Sequence, residues 1–323
     1  MLFIAAGDDA AKRFVEFFTA NIRNPHTREA YYRAACYFSA WCEHRDLALA
    51  DIQPVHVAAY IETLSKTVNQ QTRKVYGKVT VKQHLAAIRM LFDWLVVGQV
   101  VPFNPASAVR GPKHTQDIGK TPHLEADEVR QLIDAVDSKT IGGLRDRALI
   151  GLMMHTFARV TAALAMDVGD YYRVGAKRWF FRLKEKGSKT LDIPAHHLAQ
   201  QYMDAYLTAR RINVEDPAAV TTPLFCSLDR HRRLTSRRLD RREALAMIKR
   251  RAKAAGLSNK ICNHTSRATG ITNFLLNGGS LEDAQRIAGH ASAKTTKGYD
   301  HSDKALTQTE IERIDYFRIG CRR

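Results

Sequence analysis

The sequence predicts a mainly α protein of two domains, the second carrying a small antiparallel sheet. Three observations predict it. Apolar residues recur at helical spacing over most of the chain, only two short runs read as strands, and a stretch with Gly and Pro but no apolar periodicity interrupts the pattern. That stretch lies in HTQDIGKTPH, so the expected domains are 1–115 and 124–323 with a linker at 116–123. With 323 residues, 45% of them hydrophobic, the chain is long enough to build two cores.

Residues 8–20, DDAAKRFVEFFTA, carry Phe14, Phe17 and Phe18 as an apolar stripe and read as a first helix. Asn24-Pro25-His26-Thr27 opens a second, in which Tyr31, Ala34, Ala35, Phe38 and Trp41 are buried. Pro54 starts a third, VHVAAYIETLSK, and a basic polar link follows at 67–80. The fourth, VKQHLAAIRMLFDWLVVGQVV, packs Leu85, Ile88, Leu91, Phe92 and Leu95 and leaves Lys82, Gln83 and Arg89 available to a partner. NPASAVRGPK closes the unit.

In the second domain LEADEVRQLIDAVDS and LRDRALIGLMMHTFARVTAALAM are amphipathic helical patterns. WFFRL at 179–183 and TLDIP at 190–194 read as strands joined by KEKGSK, a hairpin with Gly187 in its turn. AHHLAQQYMDAYLTARR is a further helix. Residues 230–242 then hold seven Arg, among them Arg237, Arg241 and Arg242, ahead of the helix ALAMIKRRAKAAG. Such a run is either a solvated face or a row of phosphate contacts along a duplex.

Fifty Lys and Arg against 33 Asp and Glu give a net charge of +17, which favours a polyanionic partner through phosphate neutralisation and counterion release. Residues 1–115 hold 14 basic and 9 acidic residues and the remainder 36 and 24, so most of the excess lies in the second domain. ALIGLMM at 148–154 is about the longest apolar run, too short for a membrane span, and MLFIAAGDDAAKRF lacks the basic start of a secretory signal. The five Cys, at 36, 42, 226, 262 and 321, follow no C-x-x-C spacing. Reduced thiols, a cytoplasmic location, no metal site, no cofactor and no membrane partner are the expectations.

The chemistry concentrates between His264 and Tyr299. His264 and Arg267 stand three apart at the start of the helical pattern TSRATGITNFLLN and project from one side. LEDAQRIAGH breaks at Gly289, which places His290 at a turn, and a further break at Gly298 places the Tyr299 phenol on a locally mobile segment. Two His, an Arg and a Tyr suit phosphoryl transfer. Arg holds phosphate oxygens bidentately and stays charged, His shuttles a proton near neutrality, and Tyr forms a covalent phosphoryl enzyme.

HTSRAT, then LEDAQRIAGHAS, then Thr295-Thr296 and Tyr299 closely resemble the second half of the tyrosine recombinase signature (phage integrase and Xer-like), H-x-x-R…L-G-H…Y. The segment HTFARVTAALAM resembles the first Arg box of the family and carries the catalytic Arg over to Arg159. One departure stands out, because the acidic residue usual three positions after that Arg is Ala162 here. Either another group orients the site or the protein is less active than its relatives. In the family a Lys on the hairpin protonates the leaving 5′ oxygen. KGSK aligns it best with Lys186, and Lys184 or Lys189 are the alternatives. The four N-terminal helices resemble the core-binding, SAM-like domain, which clamps DNA from one side.

The resemblance covers almost the whole chain. It implies a site-specific recombinase that cuts and rejoins double-stranded DNA at inverted-repeat core sites, as a homo-tetramer on two sites, with a partner recombinase or accessory protein also conceivable. It implies that Arg159 and Arg267 hold the scissile phosphate, His264 assists proton transfer, His290 bonds the phosphate and Tyr299 attacks. A catalytically weak DNA-binding accessory protein on the same fold is the alternative, with Ala162 as its support. The tail SDKALTQTEIERIDYFRIGCRR has near-helical apolar spacing and docks either on its own domain or, as the family commonly does, on a neighbour.

Overall fold

A computed structural model describes residues 2–70, 72–113, 121–185, 189–258 and 260–299. Lys186, the C-terminal tail and most of the expected linker lie outside the described residues. The chain divides into two compact units, residues 1–115 and 116–323.

The first unit is helical: α1 (Leu2–Ala5), α2 (Asp8–Glu16), α3 (Pro25–Glu43), α4 (Pro54–Lys66) and α5 (Lys78–Val97). A π-turn, Phe17–Asn21, prolongs α2. Asn24 starts α3 by accepting from the N–H groups of His26 and Thr27, two donors that the first helical turn leaves orphaned, while Pro25 lacks such a donor. The apolar faces meet in a core of Phe3, Phe17, Phe38, Ile88, Leu91 and Phe92. Three points depart from the sequence reading. The link at 67–80 folds into a two-stranded antiparallel hairpin, β1 (Val68–Asn69) and β2 (Lys74–Val75), and α5 starts three residues earlier than its apolar stripe. Arg89 is not left free for a partner either. Its Nε donates to the carbonyl of Ala106 at 3.0 Å and its Nη2 to that of Val109, so it clasps the segment after α5.

In the second unit α6 (Ala126–Asp134) opens with a capping box, Glu125 and Glu128 satisfying each other's backbone donors. The long pattern expected as one amphipathic helix is two. They are α7 (Ile141–Thr156) and α8 (Val160–Ala165), separated at Phe157, whose φ of 53° is left-handed. Nor is α7 amphipathic. It is buried all round, and its charged Arg145 and Asp146 are satisfied by each other, by the Cys226 carbonyl and by Arg251.

The sheet has three strands, because β3 (Tyr171–Val174), unforeseen in the sequence, adds to β4 (Arg178–Lys184) and β5 (Thr190–Pro194), all antiparallel. Phe181 faces Tyr171 on one side and Ile193 on the other, and all three are buried. After α9 (His197–Ala209), a second pair, β6 (Cys226–Leu228) and β7 (Leu234–Arg238), takes up part of the Arg run. Then come α10 (Arg241–Ala254), α11 (Thr265–Leu276), α12 (Leu281–Ala288) and α13 (Ala293–Lys297).

Close approach makes α11 the organiser of this end of the unit. A Cβ on Gly270 would lie 2.2 Å from the Met154 carbonyl oxygen of α7, so only Gly lets the two backbones meet. Three buried Thr of α11 each bond a different segment. Thr265 accepts from the Cys262 N–H, Thr269 accepts from the Leu124 N–H, and Thr272 donates to the Tyr299 carbonyl.

Candidate active site

His264 is the residue at which α11 begins, and Arg267 lies in its first turn. Arg267 is 1% exposed. Its Nη1 donates to the Phe157 carbonyl and its Nη2 to the Ala288 carbonyl, joining the left-handed turn before Arg159 to the end of α12. Its Nε is buried and makes no hydrogen bond of good geometry among the described residues, while the guanidinium faces the Tyr299 hydroxyl. Burial first, and the positive charge of Arg159 second, lower the Arg267 pKa to about 10, so it remains protonated at neutrality.

Arg159 stands where the chain leaves the turn and enters α8. Its Nη1 pairs with the carboxylate of Glu185, which follows β4 directly and is nearly buried. His290 follows Gly289, whose φ of +59° caps α12 in the left-handed conformation. The His290 ring is 7% exposed, its Nδ1 lies 2.9 Å from the Thr296 hydroxyl, and its plane stacks on Tyr299 with centroids 6.0 Å apart. Burial chiefly, then the neighbouring Arg charges, push its pKa down to about 4, so the ring is neutral.

Tyr299 completes the group. Its hydroxyl lies 3.1 Å from His264 Nε2. Burial, followed by Arg267 and Arg159, depresses the His264 pKa and favours the neutral ring, whose Nε2 can accept from the phenol O–H in the tautomer protonated on Nδ1. Burial raises the phenol's own pKa while Arg267 and Arg159 oppose the rise. The segment was expected to be loose; instead the Tyr299 ring is 9% exposed and packs with Phe157, Ala268, Ile271, Ala284 and Ala288. Two guanidiniums, two neutral imidazoles and a phenol thus converge from α8, α11 and the ends of α12 and α13.

Residues 122–305 match the model of the phage integrase family, and residues 11–100 match that of a phage integrase N-terminal SAM-like domain. The chain belongs to the phage integrase family. It is 31% identical over 239 residues to tyrosine recombinase XerC of Chlamydia muridarum (strain MoPn / Nigg), covering 73% of this chain and 71% of that protein. Its fold is similar to that of XerH site-specific recombinase bound to difH substrate in a pre-cleavage complex. The TM-score is 0.64 at 20% identity, over 88% of this chain and 78% of that one. It is equally similar to a lambda integrase dimer bound to a COC′ core site, with a TM-score of 0.64 at 17% identity over 92% and 96% of the two chains.

Within this phage integrase fold, five of the six catalytic candidates from the sequence, Arg159, His264, Arg267, His290 and Tyr299, lie together. Lys186 falls outside the described residues. Of its alternatives, Lys184 places its ammonium 3.3 Å from Asp170, and Lys189 is exposed. Lys82 and Gln83 are exposed on α5, and Arg241 and Arg242 are exposed at the start of α10, whereas Arg237 pairs with Glu243 at 2.6 Å. Sequence reasoning missed Glu185, Thr272 and Thr296. Only Thr296 carried a signal, as part of the Thr-Thr pair ahead of Tyr299.

Proposed function

We propose that this phage integrase family member is a site-specific DNA recombinase in which Tyr299 attacks the scissile phosphate and forms a 3′-phosphotyrosyl intermediate. The hydrogen bond between the Tyr299 hydroxyl and a neutral His264 carries this reading, because it supplies a nucleophile with its base already in contact. The phenol proton passes to His264 Nε2 as the Tyr oxygen–phosphorus bond forms and the bond to the 5′ oxygen breaks. Arg159 and Arg267 take the charge that grows on the non-bridging oxygens. When the Thr296 hydroxyl, 2.9 Å away, donates to His290 Nδ1, the ring carries its proton on Nε2, the form able to donate to phosphate. A hairpin Lys, Lys186 best, protonates the departing 5′ oxygen.

The phosphotyrosyl ester conserves the energy of the broken bond, so a 5′ hydroxyl from a second duplex reverses the step and exchanges strands. Inverted-repeat half-sites, four protomers on two sites, and a tail docked on a neighbour complete this scheme. Lys82 and Gln83 contact DNA from α5, and Arg237, Arg241 and Arg242 contact phosphates. A catalytically silent accessory protein is disfavoured by the preformed Tyr299–His264 pair.

A plasmid carrying two copies of the protein's inverted-repeat site tests the proposal. The native protein should delete or invert the intervening segment, and Tyr299→Phe should bind the site yet yield no product. Recombinants formed by Tyr299→Phe at the native rate would overturn the assignment.

A further inference from the structure

Arg159 stands in an unusual electrostatic setting. One turn along α8, where a side chain could brace its guanidinium, lies Ala162, which is 3% exposed and has no acceptor to offer. The bracing arrives from the sheet instead. Glu185 directly follows β4, and its N–H donates to the Lys189 carbonyl at 2.7 Å, which closes the base of the hairpin and fixes the backbone. Its side chain passes beneath the turn that leads into His290, with its Cγ 3.9 Å from where a Cβ on Gly289 would stand, and its Oε2 accepts from Arg159 Nη1.

The two partners differ in exposure. The Glu185 side chain is 4% exposed and the Arg159 side chain 35%. The carboxylate therefore grips the guanidinium from its buried side and leaves the outward donors uncovered. A carboxylate standing in for the phosphate would sit on the open side. A buried carboxylate is strongly unfavourable without a cation, so the pair is held from both ends.

We infer that Glu185 is a positioning residue for Arg159: its carboxylate orients the guanidinium, in the place of an acid on α8, so that the free donors meet a DNA phosphate in a fixed geometry. Bidentate contact depends on the angle of the planar fork as well as on its charge, and a fork free to rotate loses the fixed alignment that transition-state stabilisation needs. The inference rests on the proposed recombinase chemistry. It adds that the hairpin segment links two parts of that machinery, holding Arg159 with Glu185 and carrying the Lys candidates before and after it in sequence.

The test is single-turnover cleavage of a nicked half-site by the full-length protein, with half-site affinity and melting temperature measured alongside. Glu185→Gln keeps the shape and an acceptor but removes the charge, and Glu185→Ala removes the brace. If Glu185 positions Arg159, the cleavage rate falls roughly tenfold for Glu185→Gln and toward a hundredfold for Glu185→Ala, while affinity stays within about threefold. A purely structural role would lower melting temperature and affinity together with the rate, and that pattern in Glu185→Gln overturns the inference. Unchanged cleavage overturns it too, as does faster cleavage or tighter binding, which would make Glu185 a competitor of the phosphate. Should Glu185→Ala fail to fold, Glu185→Gln alone decides. If the native protein forms no covalent adduct, the recombinase reading itself fails, a result distinct from any of these.

Discussion

At the scale of single residues, the site works by protonation states that burial has chosen. His264 is held below the ordinary His pKa by burial and two guanidiniums, so it is neutral and basic where an exposed His would be partly charged. In the proposed mechanism cleavage needs that neutral form. The rate should therefore hold steady as pH falls from 8 past about 6.5, where a free His titrates, and decline only below it. A decline that begins above that pH would contradict the assignment of His264 as base. Stability carries the same sign. His290 and, in the first unit, His84, which meets the Tyr60 hydroxyl at 2.9 Å, both have pKa values near 4 because they are buried. Their unfolded forms take up protons below about pH 6.5 while the folded forms do not, so stability present above that pH is lost as pH falls toward 4. Each contributes at most about 3 kcal/mol. Chemical denaturation of His84→Gln across this window should show a flatter pH dependence than the native protein. Thr296→Val, which keeps the volume and removes the oxygen that fixes His290, should slow cleavage about tenfold with half-site binding retained.

At the scale of elements, the contact of α11 with α7 sets the geometry. Gly270→Ala would drive a methyl group into the Met154 carbonyl and the Phe157 ring, 2.2 and 2.7 Å away. Overpacking there should cost about 1–3 kcal/mol by denaturant titration, and it should slow cleavage because the displaced turn carries Arg159. A variant as stable and active as the native protein would show that this contact does not position the turn. The helices and the order of the site residues were legible because apolar spacing and the H-x-x-R and G-H punctuation are local signals. The break at Phe157 was not. A bulky residue in the left-handed region carries no sequence mark and is held there by Arg267, 110 residues away. β3 escaped notice for a related reason, since Tyr171–Val174 is short and becomes a strand through its pairing with β4. Glu185 read as part of a charged turn, because its partner Arg159 is distant in sequence.

At the scale of the whole molecule, the net charge of +17 favours phosphate neutralisation as a source of affinity for DNA. Arg241 and Arg242 are exposed, while Arg237 is already paired with Glu243 and would exchange that partner for a phosphate in the proposed complex. Replacing all three with Gln should therefore weaken binding to every sequence and lower the slope of log affinity against log salt by about 2.7, at about 0.9 for each of three phosphate contacts. Gln83→Ala should instead change which sequences bind, provided that α5 reads base edges. Equal salt slopes for the native and triple-variant proteins would reduce the Arg run to a solvated face. The proposed chemistry centres on one atom, the Tyr299 hydroxyl. The most direct measurement is to trap the full-length protein on a nicked half-site, digest the adduct and locate the modified peptide by mass spectrometry. A 3′-phosphate joined to Tyr299 and no adduct with Tyr299→Phe are expected; a nucleotide on any other residue, or an adduct that persists in Tyr299→Phe, would contradict Tyr299 as the nucleophile.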